Sequence, residues 1–463
     1  MTKVYIYFLL FSLISFQVNA QNWDSFGNTD HDVTGLYYDS IDNNLYIGGI
    51  FLSFNDIEAK GLIKWDGNSF SEVGEFPNQT YGIPPSTTDP VSSIIRYNDE
   101  LYCSMRNGAW NEGEIRGIAK WDGVSWDSIA GIDGQVFDQV IFNDELYIMG
   151  RFWERNDTIR SILKWNGENF YDIGFQEWLG QSNITILSGL VFNNELYIGG
   201  NFISSDGEVR DMAKFDGENW YPVADGIQGG SDDVADILEF QGDLYICGDF
   251  RKSSGNAGSK IMKLDNNEWE EVGGSFEYNS GTAFKMLNYK EKLYVFGNFD
   301  NKVGGVDIHK IGIWDGSKWC GLNHEFNKGI ATAEVYGDDF IIGGGWEFID
   351  NIEIKSIARW TAGEQLDSCS TNLTTLTEEN IDEEFFYIFP NPVATGSLIN
   401  FNSNRQYSSE LCISIYESSG RLHSHQKIID NLKVLNAPNS SGIFIIKIEQ
   451  DEHPPKYFKL VVK

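Results

Sequence analysis

Residues 45–49 read LYIGG and residues 63–67 read IKWDG, and both segments return along most of the chain at a near-constant spacing. The first recurs as LYCSM at 101–105, LYIMG at 146–150, LYIGG at 196–200, LYICG at 244–248, LYVFG at 293–297 and FIIGG at 340–344. The second recurs as AKWDG at 119–123, LKWNG at 163–167, AKFDG at 213–217, MKLDN at 262–266, GIWDG at 312–316 and ARWTA at 358–362. Seven copies with a period of roughly 50 residues predict a propeller or a solenoid.

Each unit reads as four short strands with turn residues between them, and the repeat region lacks the 3.6-residue apolar periodicity of helices. In the first unit the expected strands are Val33 to Tyr38, Leu45 to Gly49, Leu62 to Trp65 and Ser69 to Val73. Four antiparallel strands per unit is typical of a propeller blade.

The fourth strand of each unit indicates how the ring closes. Six units end in a matching segment, whereas the seventh has none after Trp360. A spare copy, NWDSFG at 22–27, stands ahead of the first unit. We therefore predict an all-β fold, a seven-bladed β-propeller in which Trp23 to Phe26 completes the last blade, because closure leaves no unpaired sheet edge.

The regions outside the repeat have their own character. Residues 1–20 have the layout of a secretory signal peptide, with Lys3, an apolar run and a small-residue ending at Ala20. The repeat occupies 21–369. Three features after it indicate a second module: a Thr-rich acidic linker, turn dipeptides and short strands. The linker is expected at 370–384, and a small β-sandwich at 385–463.

Composition excludes several classes of partner. The chain carries 34 basic and 68 acidic residues, a net charge of -34, which disfavours nucleic acid and anionic membranes. No segment after residue 20 reaches the roughly 18 apolar residues of a membrane span, so no integral membrane segment is expected. The cysteines lack CxxC spacing and do not indicate a zinc site. In an exported chain Cys320 and Cys369 could form a disulfide.

The paired glycines at Gly48-Gly49, Gly199-Gly200 and Gly343-Gly344 precede an aromatic residue in the third strand and another at the start of the fourth. This pattern resembles the kelch repeat and the related propeller of the galactose-oxidase superfamily. The resemblance covers roughly residues 22–368 and implies the propeller fold. Function does not follow from it, because such propellers serve as scaffolds, adhesins and enzymes.

The C-terminal module has ordered motifs of its own. They are the turn Pro390-Asn391-Pro392, the strand Ile415-Tyr416 leading to Gly420-Arg421, Gly442 ahead of its strand, and the basic, apolar end from Lys459 to Lys463. Their order resembles the type A C-terminal sorting domain of the type IX secretion system, although Phe444 stands where that family usually has tyrosine. The resemblance implies recognition by the translocation machinery and a secreted or cell-surface location. An ordinary adhesion-type sandwich is the alternative.

Several enzymatic classes lack their required residues. A copper-radical oxidase needs histidine and tyrosine ligands that converge on one metal, and the repeat region has only His31, His309 and His324, so no metal or other cofactor is expected. A GxSxG elbow and a phosphate-binding loop are absent from the sequence. Paired carboxylates for glycoside cleavage remain open. The candidates on channel-lining first strands are Asp138, Asp236 and Glu334.

Loop lengths point to one binding face. Links between second and third strands, and links between blades, are long, and in a propeller both kinds emerge on the same side, called here the long-loop face. Loops on a rigid scaffold often carry binding residues. Aromatic residues in or beside these loops with no counterpart in the other units are the candidate ligand-binding residues: Trp110, Trp153, Trp178 and Tyr81.

These observations favour a non-enzymatic protein, secreted or displayed on the surface, that binds an extracellular glycan or protein through exposed aromatic residues. Two alternatives stay open. One is a carbohydrate-active enzyme whose carboxylates converge at the mouth of the central channel. The other is a structural component of the cell surface or matrix.

Overall fold

The fold was obtained as a computed structural model with two compact units, Met1–Leu373 and Thr374–Lys463. The described residues are 23–77, 80–81, 87–88, 90–105, 117–129, 132–154, 159–181, 184–228, 233–274, 276–277, 281–322, 324–361, 386–389, 394–403, 411–417, 421–428, 434–450 and 456–463. The expected signal peptide and the expected linker lie outside these ranges. No helix in the described ranges has the length and apolar character needed to cross a membrane.

The described part of the first unit contains seven four-stranded antiparallel sheets, the blades. Blade 1 comprises Val33–Asp39, Asn44–Gly49, Leu62–Trp65 and Phe70–Glu72. Blade 2 comprises Val91–Tyr97, Glu100–Met105, Ile118–Trp121 and Trp126–Ser128. Blade 3 comprises Ile132–Phe142, Glu145–Glu154, Ile159–Trp165 and Phe170–Tyr171. Blade 4 comprises Thr185–Phe192, Glu195–Ile203, Arg210–Phe215 and Trp220–Pro222.

The remaining blades follow the same order along the chain. Blade 5 comprises Val234–Phe240, Asp243–Gly248, Ile261–Asp265 and Glu268–Glu271. Blade 6 comprises Thr282–Tyr289, Lys292–Val303, Val306–Trp314 and Trp319–Gly321. Blade 7 comprises Ile330–Tyr336, Asp339–Gly344, Ile357–Trp360 and, as its fourth strand, Trp23–Ser25. The described parts of the loops add three short hairpins, the helix Phe175–Leu179 and a 3-10 turn at Lys252–Ser254. The hairpin strands are Ser53–Phe54, Ile57–Glu58, Thr80–Tyr81, Thr87–Thr88, Phe348–Ile349 and Ile352–Glu353.

The ring closes as the sequence predicts. Trp23 pairs with Trp360 and Ser25 with Ala358, so the first described strand of the chain completes the last blade. The first strand of every blade lies against the first strand of the next, and that of blade 7 lies against Val33–Asp39 of blade 1. The predicted seven-bladed propeller is confirmed, and its first strands surround a central channel.

The recurring WDG segment is a turn that its own side chain stabilises. Asp66 Oδ1 accepts the backbone N–H of Asn68 and of Ser69, each at 2.8 Å. Gly67 has φ +96°, a left-handed conformation that glycine adopts without a steric penalty. Such Asx turns join the third strand to the fourth, and they recur with Asp122, Asn166, Asp216 and Asp315.

The paired glycines at the end of the second strand have separate steric causes. A Cβ on Gly48 would lie 2.7 Å from Cγ1 of Val91, a side chain of blade 2. A Cβ on Gly49 would lie 2.3 Å from the carbonyl oxygen of Asp32, which precedes the first strand. The first glycine therefore leaves room for a side chain of the neighbouring blade. The second leaves room for the backbone at the start of its own hairpin.

The core lies between blades. Tyr46 and Leu62 of blade 1 pack with Val91 and Leu101 of blade 2, and similar apolar clusters fill the other blade junctions. Burial of this kind contributes roughly 25 cal/mol per Å² of apolar surface. Because each blade buries its faces only against its neighbours, the propeller gains its stability when the ring is complete.

The cysteines of the described residues divide into two groups. Cys103, Cys247 and Cys412 are free thiols. Cys320, in the fourth strand of blade 6, is disulfide-bonded. Cys369, its expected partner, lies outside the described residues.

The described part of the second unit contains two sheets that form the expected small sandwich. One has three strands in the order Phe386–Phe389, Leu398–Ser403 and Val434–Asn436. The other has four strands in the order Leu422–Ile428, Leu411–Glu417, Gly442–Gln450 and Lys456–Val462. Buried side chains from both sheets meet between them, among them Ile399, Leu435, Ile413 and Ile446.

Candidate active site

A β-bulge near the start of every first strand defines one level of the central channel. In each blade the pairing register slips by one residue at this point, as it does between Val136 and Asp138 of blade 3. The first paired residue after the bulge forms a ring, one member per blade: Gly35, Ser93, Asp138, Ser188, Asp236, Lys285 and Thr332. Bulges often re-aim side chains near functional sites. This ring is called here the channel ring.

Asp236 and Lys285 are an ion pair within the channel ring. Lys285 Nζ lies 3.1 Å from Asp236 Oδ1, and the Asp236 side chain is only 6 % exposed. Ser188 Oγ donates to the same oxygen at 3.3 Å, and the backbone N–H of Met286 donates to Oδ2 at 2.7 Å. The carboxylate of Asp236 is therefore fixed by the blades on both of its sides.

Asp138 is held in the same manner, but no cation among the described residues lies at contact distance from it. Its Oδ1 accepts the backbone N–H of Gln139 at 2.9 Å and the hydroxyl of Ser93 at 3.3 Å. Its Oδ2 accepts the backbone N–H of Gly189 at 2.9 Å. Burial raises the pKa of Asp138 to about 6, although the charge of Lys285 and these N–H groups act in the opposite direction.

Glu334 lies two residues beyond Thr332, further along the first strand of blade 7. Its Oε1 accepts the backbone N–H of Val335 at 3.0 Å, and the N–H of Tyr38 in blade 1 also donates to it. Burial raises the pKa of Glu334 to about 7, again against the charge of Lys285. Glu334 thus takes up a proton close to neutral pH.

Lys285 links the three carboxylates electrostatically. Burial disfavours its ammonium form, but the charges of Asp236, Asp138 and Glu334 hold the pKa of Lys285 well above its ordinary value. Its side chain is 37 % exposed, and within the described residues Asp236 is its hydrogen-bond partner. An ammonium has three N–H donors, so two remain for a molecule in the channel.

Apolar residues occur at the bulge itself, next to the charged part of the channel ring. Phe284, directly before Lys285, is 38 % exposed although it lies on the innermost strand of blade 6. The bulged residues of blades 3 and 4 are Phe137 and Leu187. Because a first strand borders solvent only along the channel and its mouths, Phe284 offers an aromatic surface beside the charged groups.

Among the aromatic candidates for ligand binding, the side chain of Trp178 is described, and Trp153 is placed by its strand. Trp178, in the helix Phe175–Leu179, is half-buried and stacks on Trp220, with ring centroids 6.2 Å apart. It therefore covers the core of its loop. Trp153 lies in the second strand of blade 3 and pairs with Ile159, but its side chain is outside the described set.

The other two candidates are placed only in part. Tyr81 pairs with Thr87 in a loop hairpin, and its side chain is not among the described ones. Trp110 lies outside the described residues. The assignment of these four aromatic residues to ligand binding stays a prediction.

The residues of the sorting-domain resemblance lie in the second unit. Those outside the described residues are Pro390, Asn391, Pro392 and Gly420. Gly442 begins a strand and pairs with Val462, and Lys459 lies in the strand that follows. Lys463 is exposed, and its carbonyl oxygen accepts the N–H of Thr395 at 3.1 Å.

Sequence reasoning identified the three channel carboxylates but missed Lys285. The repeat contained a sequence feature that points to Lys285, because Asp138, Asp236 and Lys285 occupy the same position of their respective blades. Alignment of the units by their first strands would have placed the lysine with the two aspartates. Two of the histidines of the repeat contact acids outside the channel ring: His309 contacts Asp300 and His324 contacts Asp350. Among the described residues no three His, Cys, Asp or Glu side chains are grouped so as to hold a metal ion.

Comparisons with known proteins give a mixed result. No known family model matches the chain, and no curated protein sequence matches it. A solved structure of a fungal alcohol oxidase of the AA5 family, in complex with copper, aligns with 95% of this chain and 99% of its own, at 12% identity and a TM-score of 0.40. A Salmonella α2-macroglobulin variant aligns with 96% of this chain and 26% of its own, at 8% identity and a TM-score of 0.16.

The expectation of a non-enzymatic binding protein is corrected at this point. The copper and the alcohol oxidation of the AA5 structure belong to that protein. For this chain the physical ground is the channel, where Asp138 and Glu334 acquire near-neutral pKa values beside the Asp236–Lys285 ion pair. The enzyme alternative named these same three carboxylates, Asp138, Asp236 and Glu334.

Proposed function

We propose that this protein is a carbohydrate-active enzyme that cleaves glycosidic bonds at the long-loop mouth of its central channel. One observation carries the proposal: the bulges place Asp138, Asp236 and Lys285 at equivalent positions of three blades, with Lys285 Nζ 3.1 Å from Asp236, and Glu334 lies two residues beyond the equivalent position of blade 7. Glycoside hydrolases generally use two catalytic carboxyl groups whose environments give them different proton affinities.

The acid and base roles follow from the pKa values. The pKa of Glu334, about 7, is higher than that of Asp138, about 6, so between these values Glu334 is the more protonated of the two and Asp138 the more ionised. Glu334 donates its proton to the oxygen of the leaving sugar. Asp138 accepts a proton from the attacking water, whose oxygen forms the new bond to the anomeric carbon. Groups with a pKa near the working pH are the most effective in such transfers.

Asp236 and Lys285 set the electrostatics of the site. The ammonium of Lys285 keeps the pKa values of Asp138 and Glu334 from rising further. Asp236 fixes the ammonium through their 3.1 Å contact. The exposed ring of Phe284 offers an apolar surface for the C–H face of a sugar.

The experiment is a hydrolysis screen with the full chain. Release of reducing ends is measured on neutral and acidic polysaccharides, for the natural protein and for Glu334→Gln and Asp138→Asn. Each substitution is expected to lower the rate about 10²–10⁴-fold. The matched control is Glu353→Gln, at a residue that is 63 % exposed in a loop hairpin of blade 7. Full activity of both channel variants, or no hydrolysis of any substrate class, would contradict the proposal.

We also propose that the chain is exported and that its C-terminal module directs translocation across the outer membrane by a type IX system. The sequence motifs and the separate two-sheet sandwich support this. The test is fractionation of cells that express the full chain or a chain without residues 385–463. Retention of only the truncated chain in the periplasm is expected. Equal release of both chains would refute the role of the module.

A further inference from the structure

Arg151 is a cation with no ion-pair partner among the described residues of a strongly acidic protein. It follows Gly150 in the second strand of blade 3 and is half-buried. Its Nε is buried without a hydrogen-bond partner, and in the described part of the chain its guanidinium makes no ion pair. By contrast Arg96 pairs with Asp39 and Asp42. Such pairing is expected, because acids outnumber bases 68 to 34 in the chain as a whole.

The repeat explains why Arg151 faces no acid at the start of the next blade. The equivalent residue of blade 4, Asn201, donates to Asp233, which precedes the first strand of blade 5. In blade 7 a Cβ on the equivalent Gly345 would lie 2.6 Å from the carboxylate of Asp32, which precedes the first strand of blade 1. This position therefore abuts the start of the next blade. For Arg151 the next blade starts with Thr185, an uncharged residue.

The position of Arg151 relates it to the channel ring. Arg151 pairs with Gln135, Gly150 pairs with Val136, and Asp138 follows across the bulge. Two residue steps of a strand span roughly 7 Å, so the backbone of Arg151 lies about one sugar ring above the level of Asp138. It lies toward the long-loop face, where the second strands end.

We propose that Arg151 recognises an anionic group of the substrate, so that the enzyme acts on an acidic saccharide. The inference rests on the proposed function, because it names the substrate class of the same channel. A carboxylate or a sulfate ester fits a guanidinium equally, since both present oxygen pairs to its planar fork. The two free N–H donors of Lys285 provide a second contact for such a substrate.

The negative charge of the whole protein does not oppose local recognition. At physiological ionic strength the Debye length is about 8 Å, so distant surface carboxylates are largely screened. The guanidinium and the bound anion are close to each other and partly shielded from water, where their attraction is screened much less. Arg151 therefore gives selectivity at the channel mouth that the net charge of -34 does not cancel.

The test measures binding in the absence of turnover. The full-length Glu334→Gln protein is titrated calorimetrically with trigalacturonate, with a sulfated disaccharide from carrageenan and with neutral galactotriose, with and without Arg151→Met. At least one acidic ligand is expected to bind ten times more tightly than galactotriose, and Arg151→Met is expected to remove that preference. The matched control is Arg359→Met, which deletes an arginine paired with Asp339. Arg151→Lys, with the charge kept and the fork removed, should retain part of the preference.

The outcomes separate this inference from the proposed function. Equal affinity for acidic and neutral ligands, no binding of any of them, or an unaffected Arg151→Met variant would overturn the role of Arg151. Cleavage of neutral saccharides alone, at a rate that is unchanged in Arg151→Met, would also overturn the role of Arg151. The proposed hydrolase activity would then still stand. Arginine-dependent binding of acidic ligands without hydrolysis by the natural protein would retain the recognition site and refute the hydrolase. Thermal midpoints of all variants identify any that fail to fold.

Discussion

The indole of Trp23 meets the indole of Trp360 edge-on, with ring centroids 4.8 Å apart, where the start of the propeller pairs with its last blade. Trp23 is 1 % exposed and also packs against Phe326 and Phe340. One residue therefore supplies both the closing strand and a large part of the core beneath it.

Trp23→Ala should open the ring. Removal of a buried aromatic side chain costs about 3–5 kcal/mol, and here it also weakens the strand that closes blade 7. Urea unfolding followed by tryptophan fluorescence and by circular dichroism measures the effect. The control, Tyr171→Ala, removes an aromatic ring that is 45 % exposed and should change stability by less than about 1 kcal/mol. Similar losses for the two variants would contradict the closure model.

Stability should fall as pH rises through the pKa values of the channel acids. Burial raises the pKa of Asp138 to about 6 and that of Glu334 to about 7, so the folded state holds protons that the unfolded chain has released. Their stabilising contribution is complete below about pH 4 and is lost by about pH 7. Glu334→Gln should therefore be more stable than the natural protein at pH 8, by up to about 3 kcal/mol, and nearly equal to it at pH 4.

The measurement is chemical unfolding of both proteins at the two pH values. Glu353→Gln, which changes an exposed glutamate, serves as the control and should show no such pH-dependent gain. A Glu334→Gln variant that is less stable than the natural protein at pH 8 would show that the charged carboxylate stabilises the ring.

The rate of hydrolysis should have a bell-shaped pH dependence. Activity needs ionised Asp138 and protonated Glu334, so it should rise near pH 6, fall near pH 7 and be greatest between them. The profile of kcat/KM between pH 4 and pH 9 tests this. In the residual activity of Glu334→Gln the alkaline limb should be absent, and in that of Asp138→Asn the acidic limb. A profile that is flat from pH 5 to pH 8 would rule out this acid and base pair.

Lys285→Met should move both limbs to higher pH. The charge of Lys285 lowers the pKa values of both Asp138 and Glu334, and its removal leaves burial unopposed by that charge. The matched control is Lys252→Met, because Lys252 is 54 % exposed and pairs with Glu271 outside the channel ring. Its pH profile should coincide with that of the natural protein. An unshifted profile in Lys285→Met would mean that the ammonium does not act on these acids.

The cysteines should differ in reactivity toward iodoacetamide. Cys103 and Cys247 are fully buried, and burial raises the pKa of each thiol well above its ordinary value, so both should react only after unfolding. Cys320 should need both unfolding and reduction before it reacts, because it is disulfide-bonded. Peptide mapping by mass spectrometry reads out both properties. Labelling of Cys320 in the unreduced, unfolded chain would contradict the disulfide.

Much of the fold is local and repeated, and for that reason it was predictable. The Asx turn at Asp66 uses only the next three residues, and Gly48 and Gly49 mark the end of a strand in several units. The closing strand followed from a count of segments. Lys285 was missed because a lone lysine in a strand has no motif, although its position within the repeat matches that of Asp236.

The aromatic candidates were chosen because they break the repeat, and Trp178 is half-buried in its loop. A residue without counterparts serves its own loop as readily as a ligand, and Trp178 stacks on Trp220. Sequence alone cannot separate these cases, because solvent exposure depends on which loop folds over which blade.

By itself the sequence determined the blades, their number and the way in which the ring closes, because these follow from strand periodicity and from turns that few residues specify. Only the tertiary structure decided which charges meet. Asp138, Asp236, Lys285 and Glu334 are separated by up to roughly 200 residues along the chain. Their bulges bring three of them to one level, and the low-dielectric interior of the ring turns that proximity into altered proton affinities. Proton affinity depends on distance and burial, and closure of the ring creates both.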